Sequence, residues 1–176
     1  MPAGKNMSYF KNIFTTGAVS KTPKRVLKKI AGEVPPGNLR IAVELGAGKG
    51  EITRNIIARI NSDCQYIAFE INPEFAESLK KDFPGIVVIT DDALNFDTHL
   101  NQKADLLICS LPLSFFEKKI RRQLLEKIKA NVADKGKVII LFHAFWIIPE
   151  LKEAFPKYKL TMSFHIPPYY IISYTK

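Results

Sequence analysis

The chain has 176 residues, 47% hydrophobic, 24% charged and 11% aromatic, with a formal net charge of +9. That length holds one domain with a sizeable core rather than two, and the composition excludes a mostly disordered, collagen-like or coiled-coil chain. No apolar run approaches the ~18 residues of a membrane span, and the opening MPAGKNMSYFKN lacks the apolar core of a secretory signal, so a cytoplasmic location is expected.

Charge is concentrated at the start. Residues 1–32 carry Lys5, Lys11, Lys21, Lys24, Arg25, Lys28 and Lys29 and no acid, a charge of +7 that leaves +2 for the rest. Such a basic segment on a nearly neutral body suits a polyanionic partner, either nucleic acid or an anionic membrane surface; a solvated basic face is the plain alternative. Within it, Met7, Phe10 and Phe14 with Tyr9 and Ile13 form an apolar stripe at helical spacing, and residues 23–31 set Val26, Leu27 and Ile30 against Lys24, Arg25, Lys28 and Lys29. Each helix either packs on the body or lies in a membrane interface. A basic amphipathic helical arm is therefore expected over 1–34, and a domain over 35–176 after the turn-rich Pro35-Pro36-Gly37-Asn38.

The domain alternates short apolar runs with amphipathic stretches. Strands are expected at 39–45, 66–70, 86–90, 106–109 and 138–142, most of them nearly continuous in apolar residues, as a parallel sheet covered on both faces requires. Ile52, Ile56, Ile57 and Ile60 share one helix face, and Ile120, Leu124, Leu125, Ile128 and Val132 share another. Asn72-Pro73-Glu74 reads as an N-cap with proline in the first turn, opening a helix to about Lys81. The chain closes with β-like runs at 159–165 and 169–174 separated by no helix, so these two strands pair as a hairpin or lie in mixed orientation on the sheet. Cys64 and Cys109 fall in or beside apolar runs and are expected to be buried free thiols. No internal repeat is evident.

Between the first strand and the Ile52 helix lies Glu44-Leu45-Gly46-Ala47-Gly48-Lys49-Gly50-Glu51. A glycine-rich turn here lets backbone approach a ligand and presents unpaired helix N–H groups to it. A dinucleotide fingerprint would need its third glycine at position 51, where Glu51 stands, and Glu44 at the strand end suits a pyrophosphate poorly. A carboxylate beside the turn suits instead a ligand with a cationic amino group and a sulfonium, as in S-adenosyl-L-methionine. About 20 residues past Gly50, Glu70 ends the second strand, where a carboxylate can bond both ribose hydroxyls.

The series Glu44-x-Gly46-x-Gly48-x-Gly50, Glu70, Asp91-Asp92-Ala93 and Ser110-Leu111-Pro112 at successive strand ends resembles the class I S-adenosylmethionine-dependent methyltransferases over residues 39–176. The resemblance implies an α/β, Rossmann-like, seven-stranded and mostly parallel sheet with an antiparallel last strand, helices on both faces, and N-terminal helices in addition. It also implies that Glu44, Gly46, Ala47, Gly48 and Gly50 hold the methionine part of the cofactor, that Glu70 binds the ribose with Ile71 beside the adenine, that Asp92 and the Ala93 N–H bond the adenine edge, and that Ser110 touches the cofactor from the fourth strand end.

The turn after the fourth strand faces the transferred methyl in that family. Methyltransferases of the adenine amine place there an amide or carboxylate and a stacking ring; here Ser110 and Leu113 occupy those positions, with Phe115 and Phe116 close behind. The turn is more similar to the bacterial phospholipid N-methyltransferases, which otherwise resemble the ribosomal RNA adenine dimethylases. Phe14-Thr15-Thr16-Gly17-Ala18-Val19 and His165-Ile166-Pro167-Pro168 resemble that group too. The implied activity is N-methylation of a phospholipid headgroup amine such as phosphatidylethanolamine, by an enzyme peripheral to the inner face of the membrane that meets it through residues 1–32. A nucleic-acid N-methyltransferase and a small-amine methyltransferase are the alternatives. Ser110, Leu111 and Pro112 would position the amine, partly through backbone carbonyls. Aromatic faces, among them Tyr9, Phe115, Phe116, Tyr169 and Tyr170, would stabilise a growing ammonium. His143, ending the fifth strand, would serve as base or as a structural histidine. The spacing of His99, His143 and His165 suggests no metal site.

Overall fold

In the computed structural model, which describes residues 21–176, seven strands form one sheet. They are β1 (Ile41–Leu45), β2 (Gln65–Phe69), β3 (Val87–Ile89), β4 (Ala104–Cys109), β5 (Val132–Phe142), β6 (Lys159–Ser163) and β7 (Tyr169–Thr175), in the spatial order β3-β2-β1-β4-β5-β7-β6. β1 to β5 pair in parallel; β7 runs antiparallel to both β5 and β6, between which it is inserted. The two final runs therefore pair as expected, and only the insertion of β7 turns a terminal hairpin into part of the main sheet.

The helices are α1 (Lys24–Gly32), α2 (Glu51–Ile57), α3 (Pro73–Asp82), α4 (Lys118–Ala130) and α5 (Ile148–Ala154). Because successive strand residues point to opposite faces, the sheet divides its apolar side chains between two cores. Ile41, Val43 and Leu45 join Leu107, Ile140 and Ile172 under α4 and α5, through Leu124, Ile128, Leu151 and Phe155. Ala42, Leu106, Ile108 and Ile139 lie under α1, α2 and α3, through Val26, Ile30, Ile52, Ile56 and Leu79.

Two differences from the sequence reading have local causes. Val132 shares the apolar period of α4 but belongs to β5, paired with Ala104, because the helix stops at Asn131, whose backbone and side-chain nitrogens both donate to the Lys127 carbonyl. The helix α5 was not expected at all, although Pro149-Glu150 in its first turn repeats the signal that marks α3. A 3-10 turn, Ala93–His99, follows β3.

Helix α1 shows what the charged arm does where it is described. Val26, Ile30 and Ala31 are buried against the domain, each larger side chain contributing about 1.5–3 kcal/mol, while Lys24, Arg25 and Lys28 stay exposed. Its apolar face is thus spent on the core rather than on an interface. The stripe from Met7 to Phe14 lies outside the described residues. Among the described residues no helix is long and apolar enough to cross a membrane. Cys64 and Cys109 are free and buried.

The buried Arg121 of α4 ties the loop after β4 to α5. Its Nε and Nη2 donate to the two carboxylate oxygens of Glu150 at 2.8 and 2.7 Å, and its Nη1 donates to the carbonyls of Leu113 and Phe116 at 3.2 and 2.8 Å. Removing the guanidinium takes the donor from two carbonyls and from the partly buried Glu150 carboxylate, at a cost of roughly 3 kcal/mol, so Arg121→Met is expected to lower the melting temperature by roughly 6–12 °C. A melt within 2 °C of the parent chain, an estimate of no effect at this size, would show that the pair is dispensable.

Candidate active site

Reversal of strand order at β1 opens a crevice at the carboxyl ends of β1, β2 and β4, where ligands bind in open α/β sheets. A narrow cleft lies there, lined by Gly46, Phe69, Glu70, Ile71, Asp92, Ala93, Leu111 and Phe116. All of these but Phe69 are residues that the sequence reading singled out, drawn from four separate strand ends.

The glycine turn is built to pass close to its neighbours. Gly46 and Ala47 both donate to the Phe69 carbonyl, at 3.0 and 3.1 Å, pinning the turn to the end of β2. Gly46 has φ of 82°, and a Cβ on it would meet Leu111 Cδ2 at 2.8 Å. Gly50, with φ of 78°, starts α2, but its missing Cβ leaves room for Phe83 of the α3 side, at 2.5 Å, rather than for a ligand. Gly46→Ala combines left-handed backbone with a clash at the cleft and is expected to destabilise by roughly 1–3 kcal/mol and to close the cleft to ligand. Thermal melting with a ligand titration checks both, and an alanine variant with parental affinity would remove the close-approach argument.

Two buried carboxylates flank this turn. Glu70 accepts from the Gly48 amide at 2.7 Å through one oxygen and from the Asn72 amide at 2.8 Å through the other. Burial raises its pKa, and these backbone bonds oppose the shift. Asn72 in turn caps α3, accepting from the Glu74 and Phe75 amides. Glu44 lies on the opposite face of β1 from Leu45, fully buried. One of its oxygens accepts from the Thr53 hydroxyl at 2.6 Å and the Tyr66 hydroxyl at 2.7 Å. Its Oε1 is buried without a hydrogen-bond partner. Burial pushes this carboxyl up to about 7, against the Thr53 and Tyr66 bonds that lower it, with the Glu70 charge adding to the rise. Thr53 and Tyr66 carry no sequence signal as partners of Glu44: one is on α2 and the other on β2, and only the packing of that layer joins them.

Asp92 uses one oxygen to cap the turn after β3, accepting from the Leu94 amide at 2.9 Å. Its neighbour Asp91 faces away, held below the ordinary carboxyl range chiefly by the His99 ring at 2.9 Å. The Ser110 hydroxyl donates to the Gly46 carbonyl at 2.7 Å, so it fastens β4 to the glycine turn instead of facing the cleft. The other expected residues do not line the cleft. Ala47, Gly48 and Gly50 stand behind it in the turn, Pro112 follows Leu111, and His143 and Tyr169 lie one and two strands over from β4, at the junction of β5 and β7. There the two rings are 4.1 Å apart, and His143 Nδ1 is 2.9 Å from the Pro168 carbonyl. A carbonyl only accepts, so Nδ1 is the donor in this contact. Phe69 and Phe116 line the cleft; the first lies inside an apolar strand run that gives no hint of ligand contact.

The fold is a doubly wound α/β sheet with a cleft at its switch point, bordered by a glycine turn and by two buried carboxylates, one of which has an unpartnered Oε1. Residues 42–136 match the methyltransferase domain family, and the chain belongs to that family. Its cofactor is S-adenosylmethionine, and the protein is an S-adenosylmethionine-dependent methyltransferase. A curated relative is the ornithine lipid N-methyltransferase of Singulisphaera acidiphila, 27% identical over 154 residues, which cover 84% of this chain and 80% of that protein. Among solved structures, the N-methyltransferase NodS of Bradyrhizobium japonicum, in complex with S-adenosyl-L-homocysteine, superposes with a TM-score of 0.74 at 12% identity over 91% of both chains. An rRNA methylase of Streptococcus thermophilus superposes with a TM-score of 0.64 at 15% identity, covering 90% of this chain and 99% of that one. At those identities the two structures speak for the fold alone.

Proposed function

We propose that the enzyme N-methylates the amine headgroup of a membrane lipid, of which phosphatidylethanolamine is the simplest. The observation that carries this reading is the turn after β4. An enzyme of the adenine amine needs an acceptor and a stacking ring there; here the Ser110 hydroxyl is bonded into the glycine turn and Leu113 is buried in the core. A lipid amine needs neither base readout nor stacking. The relative that methylates ornithine lipid supports an amine on a lipid as the acceptor class.

In this reading Glu44 and the glycine turn face the methionine part of the cofactor, Glu70 the ribose, and Ile71, Asp92 and Ala93 the adenine. The bare Glu44 Oε1 fits a cationic amino group, and two buried carboxylates fit a ligand with positive charge. Bound S-adenosylmethionine supplies a methyl on a sulfonium, open to displacement by a neutral amine. The protein's own work is orientation and proton removal. The Ser110 carbonyl, fixed at the strand end by the Ser110 amide bond to Leu45 at 3.0 Å, orients the amine. A headgroup ammonium must shed a proton before it attacks; His143, with Nδ1–H committed to Pro168, offers Nε2 to take it.

Labelled methyl from S-adenosylmethionine is offered to phosphatidylethanolamine vesicles containing anionic lipid, to ornithine-lipid vesicles, to total RNA and to soluble amines. Label in a lipid fraction alone is the expected result, and the two lipid arms identify the headgroup. Label in RNA or in soluble amines, with the lipids unlabelled, overturns the reading.

A further inference from the structure

We infer that the loops at the carboxyl end of the sheet form an interfacial rim that seats the enzyme on an anionic bilayer with the cleft mouth facing the headgroups. The proposal rests on the lipid-acceptor reading above. Five large apolar side chains, Phe115, Phe145, Trp146, Phe164 and Ile166, are between 62% and 103% exposed. Three separate connections supply them: the loop after β4, the loop after β5 and the loop from β6 into β7. β4, β5 and β6 all end at the same side of the sheet, the side where the cleft opens, and β7 starts there. Large exposed apolar groups gathered at one end of a molecule mark an interaction surface.

The three loops are also tied together. Arg121 bonds the carbonyls of Leu113 and Phe116 and the carboxylate of Glu150, joining the first loop to the helix that follows the second. The His143 ring donates to the Pro168 carbonyl and packs on Tyr169, joining the second loop to the third. The exposed rings thus stand on a braced frame.

Charge selects the occupant. Residues 110–116, 143–149 and 163–168 contain no Asp or Glu and no Lys or Arg. Beyond them, Glu150 is consumed by Arg121, and Glu117 is followed by exposed Lys118 and Lys119. Thr22, at the start of α1, donates its amide to Glu51 at 2.7 Å beside the glycine turn, so exposed Lys21, Lys24 and Arg25 stand at this same end. Aromatic tips whose own loops carry no carboxylate, flanked by exposed lysine and arginine at the start of α1 and of α4, complement an anionic headgroup layer over an apolar interior.

Trp146 is the single tryptophan of the chain, so its fluorescence reports on this rim alone. The full chain is mixed with vesicles of phosphatidylcholine and phosphatidylglycerol, which carry no primary amine. Expected are free access of acrylamide to Trp146 before lipid is added, a blue shift with vesicles, and quenching by lipids brominated on the acyl chains. Phe145→Ser with Phe164→Ser is expected to weaken vesicle partitioning roughly tenfold or more while leaving S-adenosylmethionine affinity unchanged. Trp146 already shielded from acrylamide without lipid means that another copy or another part of the chain covers the rim, and overturns the proposal. Vesicle binding with no change in Trp146 emission, or no vesicle binding, also overturns it. The two readings fail separately: lipid methylated by an enzyme whose Trp146 stays in water refutes the rim alone, and an enzyme docked through Trp146 that methylates no lipid amine leaves the rim standing and refutes the acceptor.

Discussion

Replacement of Glu70 by alanine is expected to weaken S-adenosylmethionine binding by roughly tenfold or more, since hydrogen bonds to a charged acceptor contribute about 1.5–3 kcal/mol each. The carboxylate stands at the cleft where it can receive ribose hydroxyls, yet it also accepts the Gly48 and Asn72 amides. Alanine strands both amides, so the melting temperature is expected to fall by roughly 2–10 °C. Glu70→Gln separates the two roles. Its one carbonyl oxygen can still serve one amide and recover part of the stability, but it cannot offer two charged oxygens to a ribose. Calorimetric titration with parallel melts measures both quantities, and parental affinity in Glu70→Ala would remove Glu70 from the cofactor site.

Glu44 is expected to make both stability and cofactor binding depend on pH. Its folded pKa of about 7 lies above the ordinary 4.5, because burial disfavours the charged carboxylate. Between those values the folded chain keeps a proton that the unfolded chain has lost. The stabilisation is therefore complete below 4.5 and declines as pH rises through about 7, by about 1.4 kcal/mol per unit and about 3 kcal/mol in all. A cationic ligand beside the bare Oε1 reverses the preference and favours ionisation. Binding of S-adenosylmethionine below pH 7 is thus expected to release a proton, with affinity rising toward pH 7 and levelling above it. Titrations in two buffers of different ionisation enthalpy measure the proton count, and melts from pH 4.5 to 8, about the window that linkage defines, measure the stability slope. Glu44→Gln is expected to flatten both, leaving the dependence contributed by Glu70, whose pKa burial also raises. Affinity independent of pH in the parent chain would show that Glu44 does not ionise for the ligand.

The strand-end chemistry was legible in the chain because it is local. In a parallel sheet each strand is a short apolar run and its carboxyl end is the next polar or glycine residue. Glu44, Gly46, Glu70, Asp92 and Leu111 could therefore be placed at strand ends one at a time. The N-cap at Asn72 was equally readable, since capping needs only the three residues that follow. Helix α5 lay within reach of the same reasoning, through Pro149 and Glu150.

What the residues do to one another was decided only by the tertiary structure. Burial of Glu44 with a bare oxygen depends on Thr53 and Tyr66 arriving from two other elements, and no spacing in the chain announces that meeting. Ser110 looked like a candidate for the acceptor amine until the packing of β4 beside β1 turned its hydroxyl onto the Gly46 carbonyl. Helix α1 reads equally as a core helix or an interfacial one, and the sheet settles it by burying Val26 and Ile30. The exposed rings of Phe115, Trp146 and Phe164 share one end of the molecule because β4, β5 and β6 all finish there. By itself the sequence determined the charge, most of the elements and the strand-end residues that point to the cofactor class, the last two because each element and each strand end is set by neighbours within a few positions. Pairing, burial and the common direction of distant loops are long-range consequences of strand order, and that order exists only once the sheet has closed around both cores.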